Sequence, residues 1–447
     1  MKRYWLETYG CQMNKAESGS LELELRHRGW EAAGSLSEAD LVILNTCSVR
    51  QTAEERIWGR LGFFKAEKRR AAHQGRSFRL VLMGCMGQRL QGELLEQAPQ
   101  IDVLAGTFQK HRLLEVLERE PASEGRGALS LTGLEEYRFS AGYNPGGFRA
   151  LVPIMHGCDN FCTYCVVPHV RGPEISRSPE SILTELDALQ AGTPPVREIT
   201  LLGQNVNSYR HRGDDGTVLD FPGLLSRILA RLKGPVWLRF LTSHPKDVSE
   251  ALIELLARGG ALCPHLHLPV QHGSNRILAA MGRGYTRESY LDLVARVRKA
   301  VPGLFLTTDI LIGFPGEGEE DFRRTVELME EVQFDDAFTY RYNPREGTPA
   351  YELGDEVPSA VKGERLAQII RLQRRITRSR KLSRLGSAAD VLVESRSRKN
   401  PRELLGRTAS DETVVFAGAE DRIGGFCHVL LKELRGGTYA GEEQVSG

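Results

Sequence analysis

The sequence predicts an α/β protein made of three successive folded regions. Residues 1–118 and 149–385 alternate strand-like apolar runs with helical patterns, and the residues from about 386 break into short β-rich pieces. These patterns predict an N-terminal parallel-sheet domain of the Rossmann-like type, a central partial (β/α)6 barrel of the TIM type and a small C-terminal β-barrel. We place the three domains at 1–120, 149–378 and 379–443, with a linker at 121–148.

The first region has the pattern of a parallel sheet with crossover helices. Strands are predicted at 3–9, 41–46, 79–84 and 101–105, and helices at 15–28, 50–70, 88–97 and 109–119. The segment after it is rich in Gly and polar residues, which is typical of a linker.

The second region contains six strand–helix units, which predict an incomplete barrel with its functional residues on the loops that follow the strands. Its strands are predicted at 150–155, 197–202, 235–241, 264–269, 304–311 and 336–342, and its helices at 178–191, 221–232, 247–257, 286–300, 319–332 and 358–385. The C-terminal β-rich pieces are at 389–394, 413–416 and 426–432.

Composition limits the class of protein. The 447 residues are 41% hydrophobic and 26% charged, which is typical of a soluble protein of two to three domains. No apolar run is long enough for a membrane span, and the N-terminus does not have the pattern of a signal peptide. We therefore expect a cytoplasmic protein, in which clustered cysteines bind metal or act in redox chemistry. The net charge of +1 leaves nucleic-acid contacts to local basic patches.

Three of the eight cysteines form a local triad. Cys158, Cys162 and Cys165 have the spacing C-x3-C-x2-C on the loop after the first predicted barrel strand. Three thiolates are one short of the four that close a four-iron cluster, so one iron would stay open for chemistry. A zinc knuckle with His169 as fourth ligand and plain core packing are the alternatives, and structural zinc requires four ligands.

Three other cysteines form a dispersed triad. Cys11, Cys47 and Cys85 each lie just past the C-terminal end of a predicted strand, which is the edge where open α/β sheets bind ligands. We expect them to converge on a second cluster with an open iron, although each cysteine alone would suit a structural role. Cys263 and Cys427 fit neither triad and are interpreted as structural.

The local triad on a barrel loop resembles that of the radical S-adenosylmethionine superfamily. Three later loops also resemble sequence patterns of that family: Leu202–Asn207, Thr242–Pro245 and Asp309–Glu317. The resemblance implies that these loops hold S-adenosylmethionine, while turn and capping roles are the alternative for the same positions. The residues assigned to this role are Gln204, Asn205, Ser243, His244, Asp309 and Gly313.

Nearly the whole chain resembles the methylthiotransferases. The motifs Thr8–Asn14, Asn45–Arg50 and Gly84–Met86 are similar to their N-terminal domain, and the C-terminal module is similar to the TRAM RNA-binding domain. The motifs Gly10–Asn14 and Leu201–Asn207 point to the branch that makes 2-methylthio-isopentenyladenosine in tRNA. The sequence departs from its relatives at His272, where Ser is usual, and at His156, which is less usual.

The resemblance implies two 4Fe-4S clusters with different tasks and two S-adenosylmethionine molecules per turnover. The cluster on the local triad makes a 5′-deoxyadenosyl radical that removes hydrogen from carbon 2 of the adenine, and the auxiliary cluster on the dispersed triad supplies sulfur. The expected partners are the tRNA anticodon stem-loop and an electron donor such as flavodoxin or ferredoxin, acting on a monomer. The alternatives are threonylcarbamoyl-adenosine in tRNA or a ribosomal-protein aspartate as substrate, and a non-catalytic Fe–S protein that binds RNA.

Basic residues are concentrated in the helix before the C-terminal module, where they suit phosphate contacts. A solvated helix face is the alternative. The loop after the sixth barrel strand could place Arg345 in stacking contact with a splayed base, whereas Tyr340 and Tyr342 on it could equally be core residues. The predicted RNA-binding residues are Arg374, Arg375, Arg378, Arg380, Lys381 and Arg345.

Overall fold

The computed structural model describes residues 2–48, 51–118, 129–131, 138–139, 147–354 and 356–444. Two predicted features therefore lie outside the described residues: most of the linker at 121–148, and the motif positions Val49 and Arg50. Across the described ranges, no helix combines the length and apolarity that crossing a membrane requires.

The N-terminal domain is a six-stranded parallel sheet in the order β2-β1-β3-β4-β5-β6. Since β1 pairs with both β2 and β3, the strand order reverses direction there, as in flavodoxin-like sheets. The sequence predicts four of these strands and misses β2 and β6, and β6 lies in the segment predicted as linker. The elements are β1 (Lys2–Thr8), α1 (Gln12–His27), β2 (Trp30–Ala32), β3 (Leu41–Thr46), α2 (Gln51–His73), β4 (Arg79–Gly84), α3 (Cys85–Arg89), α4 (Gln91–Gln97), β5 (Val103–Ala105), α5 (Lys110–Glu118) and β6 (Leu129–Leu131).

The central strands of this sheet are buried on both faces, which explains their continuous apolar runs. In β3, Val42 and Leu44 pack into one core, and Leu41 and Ile43 pack into the core on the opposite face. Helices cover both faces, so the carboxyl ends of the strands are left to form the site.

The central domain contains two three-stranded parallel sheets, β7-β10-β13 and β14-β15-β16, linked by a bridge between Leu238 and Leu262. No described pairing joins β7 to β16, so the predicted partial barrel is confirmed. The elements are β7 (Arg149–Pro153), β8 (Met155–His156), α6 (Val167–Arg171), β9 (Ile175–Ser176), α7 (Pro179–Ala191), β10 (Glu198–Leu202), β11 (Arg210–Arg212), β12 (Val218–Asp220), α8 (Phe221–Arg231), β13 (Trp237–Phe240), α9 (Glu250–Arg258), β14 (His265–His267), α10 (Asn275–Ala280), α11 (Arg287–Ala300), β15 (Phe305–Ile312), α12 (Glu319–Val332), β16 (Asp336–Arg341), α13 (Pro349–Glu352) and α14 (Ser359–Leu382).

The C-terminal domain is a closed five-stranded barrel in the order β17-β18-β19-β21-β20, as predicted. The sequence pattern reveals β17, β19 and β20 but not β18 and β21. The strands are β17 (Ala388–Arg396), β18 (Glu403–Thr408), β19 (Thr413–Ala417), β20 (Phe426–Arg435) and β21 (Thr438–Glu443).

The two outer domains pack on opposite ends of the central domain. At the carboxyl ends of its strands, Met13 and Ala16 of α1 pack against Leu202. At the amino ends, the ring of Trp237 meets that of Phe426 edge to face at 4.8 Å. The cysteine-bearing edge of the N-terminal sheet is therefore turned toward the functional end of the barrel.

Candidate active site between two domains

The dispersed triad occupies the carboxyl ends of three adjacent strands. Cys11 is the N-cap of α1 just after β1, Cys47 follows β3, and Cys85 is the first residue of α3 after β4. Cys47 and Cys85 are buried, whereas Cys11 is exposed. The structure thus brings together the three cysteines that the sequence places at strand ends.

Two glycines let the triad loops approach each other. Gly10 has φ +144°, and a Cβ on it would lie 2.6 Å from Cβ of Cys47. Gly84 has φ +97°, and its Cβ would lie 2.4 Å from the carbonyl oxygen of Thr46. Only glycine tolerates both this contact and this backbone conformation. Gly10 and Gly84, which directly precede Cys11 and Cys85, therefore let these two loops pack closely against the loop of Cys47.

A buried pair of asparagines locks the same loops. Asn14 donates from Nδ2 to Asn45 Oδ1 at 2.9 Å and to the Thr46 carbonyl at 3.0 Å. Asn14 Oδ1 accepts the backbone N–H of Cys11 at 3.3 Å, and Asn45 Nδ2 donates to the Asn14 carbonyl at 2.9 Å. These contacts explain why the motifs around Cys11 and Cys47 each carry an asparagine.

The local triad lies on the loop between β8 and α6. Gly157, at φ +79°, begins the turn, and a Cβ on it would lie 1.9 Å from the Pro173 carbonyl oxygen. The loop is fixed by backbone bonds from Cys158 N to the Gly172 carbonyl at 3.1 Å and from Thr163 N to the Met281 carbonyl at 3.0 Å.

Arg283 supplies positive charge to this loop. Its guanidinium donates to Cys162 Sγ at 3.3 Å and to the Pro269 carbonyl at 2.8 Å. Burial raises the pKa of Cys158 to about 11 and that of Cys165 to about 12. Metal binding to these thiols therefore has to release protons, and a neighbouring cation favours the thiolate.

The thiols of the dispersed triad differ from one another. The hydrogen bond with Cys47 lowers the pKa of Cys11 to about 6, with Arg171 contributing. Burial raises the pKa of Cys85, while Arg171 acts in the opposite direction. Cys11 is thus more readily deprotonated than Cys85.

The donor set of both triads fits iron–sulfur clusters. All eight cysteines are free, and soft thiolates are the ligands these clusters use. Among the residues that the structure describes, no group of three or more His, Cys, Asp and Glu side chains is arranged to hold a single metal ion. Cys263 packs with Trp237 at the amino ends of the barrel strands, and Cys427 lies in the core of the C-terminal domain.

Four of the predicted S-adenosylmethionine residues lie on two loops that hydrogen-bond to each other. Val206 N donates to the Thr242 carbonyl at 2.8 Å, and His244 N donates to Asn207 Oδ1 at 2.9 Å. The loop holding Gln204 and Asn205 is thereby joined to the loop holding Ser243 and His244.

Three of these four residues carry a buried polar atom without a partner. They are Gln204 Oε1, Asn205 Oδ1 and Ser243 Oγ, and within the described residues nothing hydrogen-bonds to them. Because an unpaired buried polar atom costs about 1–3 kcal/mol, such a cluster fits a site for a polar ligand. The residues present therefore fit S-adenosylmethionine.

Asp309 and Gly313 are placed differently. Asp309 lies on β15 with Oδ2 3.6 Å from His267 Nε2. Gly313 has φ +69°, and a Cβ on it would collide with the stem of Lys362 at 2.5 Å, while its N–H donates to Glu317 Oε2 at 2.6 Å. A structural reason for glycine thus exists at this position, and its contact with a cofactor stays a prediction.

The predicted RNA-binding residues divide into exposed and engaged groups. Arg374 and Arg378 are exposed on α14, whereas Arg375 pairs with Glu330 at 3.2 Å on the surface. The engaged residues contact other parts of the protein: Arg380 pairs with Asp335 at 2.9 Å, Lys381 donates to the Gly437 carbonyl at 2.6 Å, and Arg345 pairs with Glu54 of the N-terminal domain at 3.2 Å.

Both tyrosines near Arg345 pack against the same hydrophobic cluster. Tyr342 is buried and packs with Phe314 and Met281, and Tyr340 is half-buried against the same cluster. Core packing is therefore observed for both of them, and neither presents a free ring for base stacking.

The sequence analysis missed Arg171 and Arg283, two arginines that lie near the cysteine sites. Arg171 lies in Val170-Arg171-Gly172 and Arg283 in Gly282-Arg283-Gly284, and neither setting differs from that of an ordinary surface arginine. The flanking glycines, at φ +64° for Gly172 and +69° for Gly282, are the one local signal of tight packing.

Comparison with known proteins defines the class first. The radical SAM superfamily model matches residues 152–329, the uncharacterized protein family UPF0004 matches 3–106, and the TRAM domain matches 382–442. The solved structure of the cobalamin-dependent S-adenosylmethionine radical enzyme OxsB is similar at a TM-score of 0.52 and 16% identity, covering 82% of this chain and 56% of that chain. The radical S-adenosylmethionine methyltransferase TsrM from Kitasatospora setae is similar at a TM-score of 0.57 and 17% identity, covering 78% of this chain and 75% of that chain. The fold is that of radical S-adenosylmethionine enzymes.

Relatives that match along the whole chain then define the family. The tRNA-2-methylthio-N(6)-dimethylallyladenosine synthase of Treponema pallidum (strain Nichols) is 49% identical, with 97% of each chain covered. The synthase of the same name from Treponema denticola is 45% identical with 98% of each chain covered, and that of Bacteroides fragilis (strain YCH46) is 42% identical, covering 100% of this chain and 96% of that one. The chain belongs to the tRNA-2-methylthio-N(6)-dimethylallyladenosine synthase family, which confirms the resemblance found in its motifs.

Proposed function

We propose that this chain is a tRNA methylthiotransferase that acts on carbon 2 of N6-dimethylallyladenosine, also called isopentenyladenosine, next to the anticodon. Family membership over the full length supports the substrate class. The two cysteine triads support the chemistry, because an unactivated aromatic C–H bond is beyond the reach of a side-chain base and requires a cofactor-derived radical.

The observation that carries the proposal is that the two triads lie close together in the fold, although they are far apart along the chain. Cys85 of the dispersed triad packs against Val166 and Val170. Val166 directly follows Cys165 of the local triad, and Val170 lies on α6. Both triads thus border one junction between domains, where a single base could be served by both.

Each triad would hold a 4Fe-4S cluster. When bound, the cluster on Cys158, Cys162 and Cys165 supplies the electron that cleaves S-adenosylmethionine, and the cluster on Cys11, Cys47 and Cys85 supplies sulfur. Arg283 holds Cys162 in its ligating position with a charge-assisted hydrogen bond.

The cofactor would be oriented by the two bonded loops after β10 and β13. Gln204, Asn205 and Ser243 each offer a buried oxygen that has no protein partner. Two S-adenosylmethionine molecules would be used per turnover, one as radical source and one as methyl donor. An external donor such as flavodoxin or ferredoxin would supply the electron, and we propose that the chain acts as a monomer in the cytoplasm.

The tRNA would be held by the C-terminal barrel and by α14. Arg374, Arg378 and Lys381 line a cavity of 560 Å³ that α14 and β16 share with the turn at Gly436 and Gly437. A basic groove between a helix and a small β-barrel suits phosphate contacts, which give affinity without reading sequence.

The proposal is tested with two triple variants after anaerobic reconstitution. The unaltered chain should bind about eight irons, and each variant, with either Cys158, Cys162 and Cys165 or Cys11, Cys47 and Cys85 changed to Ala, should bind about four. The dispersed-triad variant should still release 5′-deoxyadenosine, but neither variant should yield 2-methylthio nucleosides in tRNA by mass spectrometry.

A double variant Cys263→Ala with Cys427→Ala is the matched control and should bind about eight irons. Methylthiolated tRNA made by the dispersed-triad variant would refute the role of that triad as sulfur donor. A chain that releases no 5′-deoxyadenosine under reducing conditions would refute the radical chemistry altogether, and would favour a non-catalytic RNA-binding protein.

A further inference from the structure

Arg171 reaches from the central domain into the dispersed triad. It is the last residue of α6, which begins two residues after Cys165 of the local triad. Its side chain is 3% exposed, although an arginine is among the residues least often buried. A buried cation requires compensating partners, so its contacts indicate its role.

The partners of Arg171 come from two elements in two domains. Its guanidinium donates to Oε1 and Oε2 of Glu17 on α1 at 2.7 and 3.3 Å. It also lies 3.3 Å from Nδ1 of His156 on β8, and its neighbour Val170 packs against Cys85. One planar guanidinium therefore joins the radical domain to α1, whose N-cap is Cys11, close to the residue that packs against Cys85.

Negative charge is concentrated around Arg171. Glu17 is 9% exposed and influences both Cys11 and Cys85 electrostatically. Thiolates at these cysteines would add further negative charge beside it. Arg171 influences both cysteines with the opposite sign, and Lys110 faces Glu17 as a second cation.

We propose that Arg171 is a positioning residue of the auxiliary site, which holds α1 with its N-cap Cys11 through Glu17 and makes the reduction potential of the auxiliary cluster depend on the docking of the radical domain. This inference rests on the proposed function. A positive charge beside a cluster stabilises its reduced, more negative state. The potential of the auxiliary cluster is thus set by a residue of the domain that generates the radical.

The test uses the full chain with Cys158, Cys162 and Cys165 changed to Ala, so that only the auxiliary cluster is present. Adding Arg171→Met should lower the equilibrium constant for cluster reduction at least tenfold, which is a shift of about 59 mV to more negative potential for one electron. Arg171→Lys keeps the charge without the planar fork, and its potential should lie between the two. The readout is a redox titration followed by electron paramagnetic resonance, with iron content measured in parallel.

Arg177→Met is the matched control. Arg177 forms an equally buried ion pair with Glu185, at 5% and 3% exposure, and no described contact joins it to a cysteine. It should leave the potential and the iron content unchanged. If Arg171→Met retains no iron, the Arg171→Lys potential decides, and a value equal to that of unaltered Arg171 would overturn the inference.

The remaining outcomes separate this inference from the proposed function. About four irons with an unchanged potential in Arg171→Met would overturn the role of Arg171 alone. Equal loss of iron in Arg171→Met and Arg177→Met would also overturn it, because Arg171 would then be an ordinary core pair. No iron in the parent with Arg171 intact would overturn the auxiliary site itself.

Discussion

At the scale of single residues, Arg283 links the loop of the local triad to a loop that we propose to bind the cofactor. Its Nε donates to the Tyr285 hydroxyl at 2.9 Å, and the ring of Tyr285 meets that of His244 at 5.6 Å. His244 Nδ1 accepts the backbone N–H of Lys246 at 3.3 Å, which requires that this nitrogen carry no proton. His244 is thus held as a neutral, buried imidazole.

The neutral state of His244 predicts a dependence of stability on pH. Burial, together with the nearby charge of Arg283, lowers its pKa to about 2. Below the unfolded-state value near 6.5, the unfolded chain binds a proton that the folded chain refuses, so stability falls as pH falls. Above this value the contribution is constant. From pH 7 to pH 5, we expect His244→Asn to lose about 2 kcal/mol less than the unaltered protein in urea unfolding experiments. Parallel losses in the two proteins would contradict this assignment.

Single residues also mark the limit of sequence reasoning at the site. The six triad cysteines could be predicted because spacing and strand ends are visible in the chain. The polar atoms of Gln204 and Ser243 could be assigned only through a family resemblance, because their lack of partners is a property of packing. Arg171 and Arg283 escaped notice because their burial comes from contacts that are distant in sequence.

At the scale of elements, the two faces of α14 differ in the contacts that their arginines make. One face carries Arg380, which pairs with buried Asp335, and Arg365, which pairs with buried Glu317 at 2.7 Å. The opposite face carries the exposed Arg374 and Arg378, for which no ion pair is found among the described residues. The sequence shows the density of arginines but not this division, since both faces are equally basic.

The division of α14 predicts different effects for neighbouring arginines. Arg374→Gln with Arg378→Gln should weaken tRNA binding and reduce the slope of log affinity against log salt by about 2, because two phosphate contacts are lost. Arg380→Gln is the control, and it should lower stability while leaving the slope unchanged, since its guanidinium already holds Asp335. Filter binding at several salt concentrations measures both slopes. A slope that responds to Arg380 rather than to Arg374 and Arg378 would place the RNA elsewhere.

Strong periodicity made most elements predictable, and short length explains why two strands of the N-terminal sheet were missed. The predicted strands of the central barrel all exist. The missed strands β2 and β6 have three residues each, too few for any alternation to be visible. Their pairing is decided by the neighbouring strands of the sheet.

At the scale of the whole molecule, the C-terminal barrel closes the amino-terminal end of the central barrel. Arg239 Nε pairs with Glu198 at 3.0 Å inside the central domain. Its other nitrogens donate to the carbonyls of Thr408 and Ala409, between β18 and β19. A single buried side chain therefore ties the RNA-binding module to the catalytic domain.

Removal of the Arg239 contacts should loosen the C-terminal barrel from the central domain. Arg239→Met should lower the free energy of unfolding by about 3 kcal/mol, the low end for a broken buried ion pair, because Arg149 remains 3.1 Å from Glu198. Hydrogen exchange should accelerate in β18 and β19 before it does in β15. Arg231→Met, which breaks a surface pair with Asp187, is the control and should change neither quantity. Uniform acceleration over both domains would contradict a local tie.

The unpaired edges of β7 and β16 have a consequence for the route of the substrate. The N-terminal domain covers one mouth of the central barrel and the C-terminal domain covers the other. No described strand pairing joins β7 to β16, and we expect this gap to be the lateral route to the site. Phe338, which is half exposed, lies on β16 at one side of the gap. We expect single nucleotides to reach the site through this gap. An unpaired adenosine at the tip of a loop would then enter, whereas a base-paired stem would be excluded.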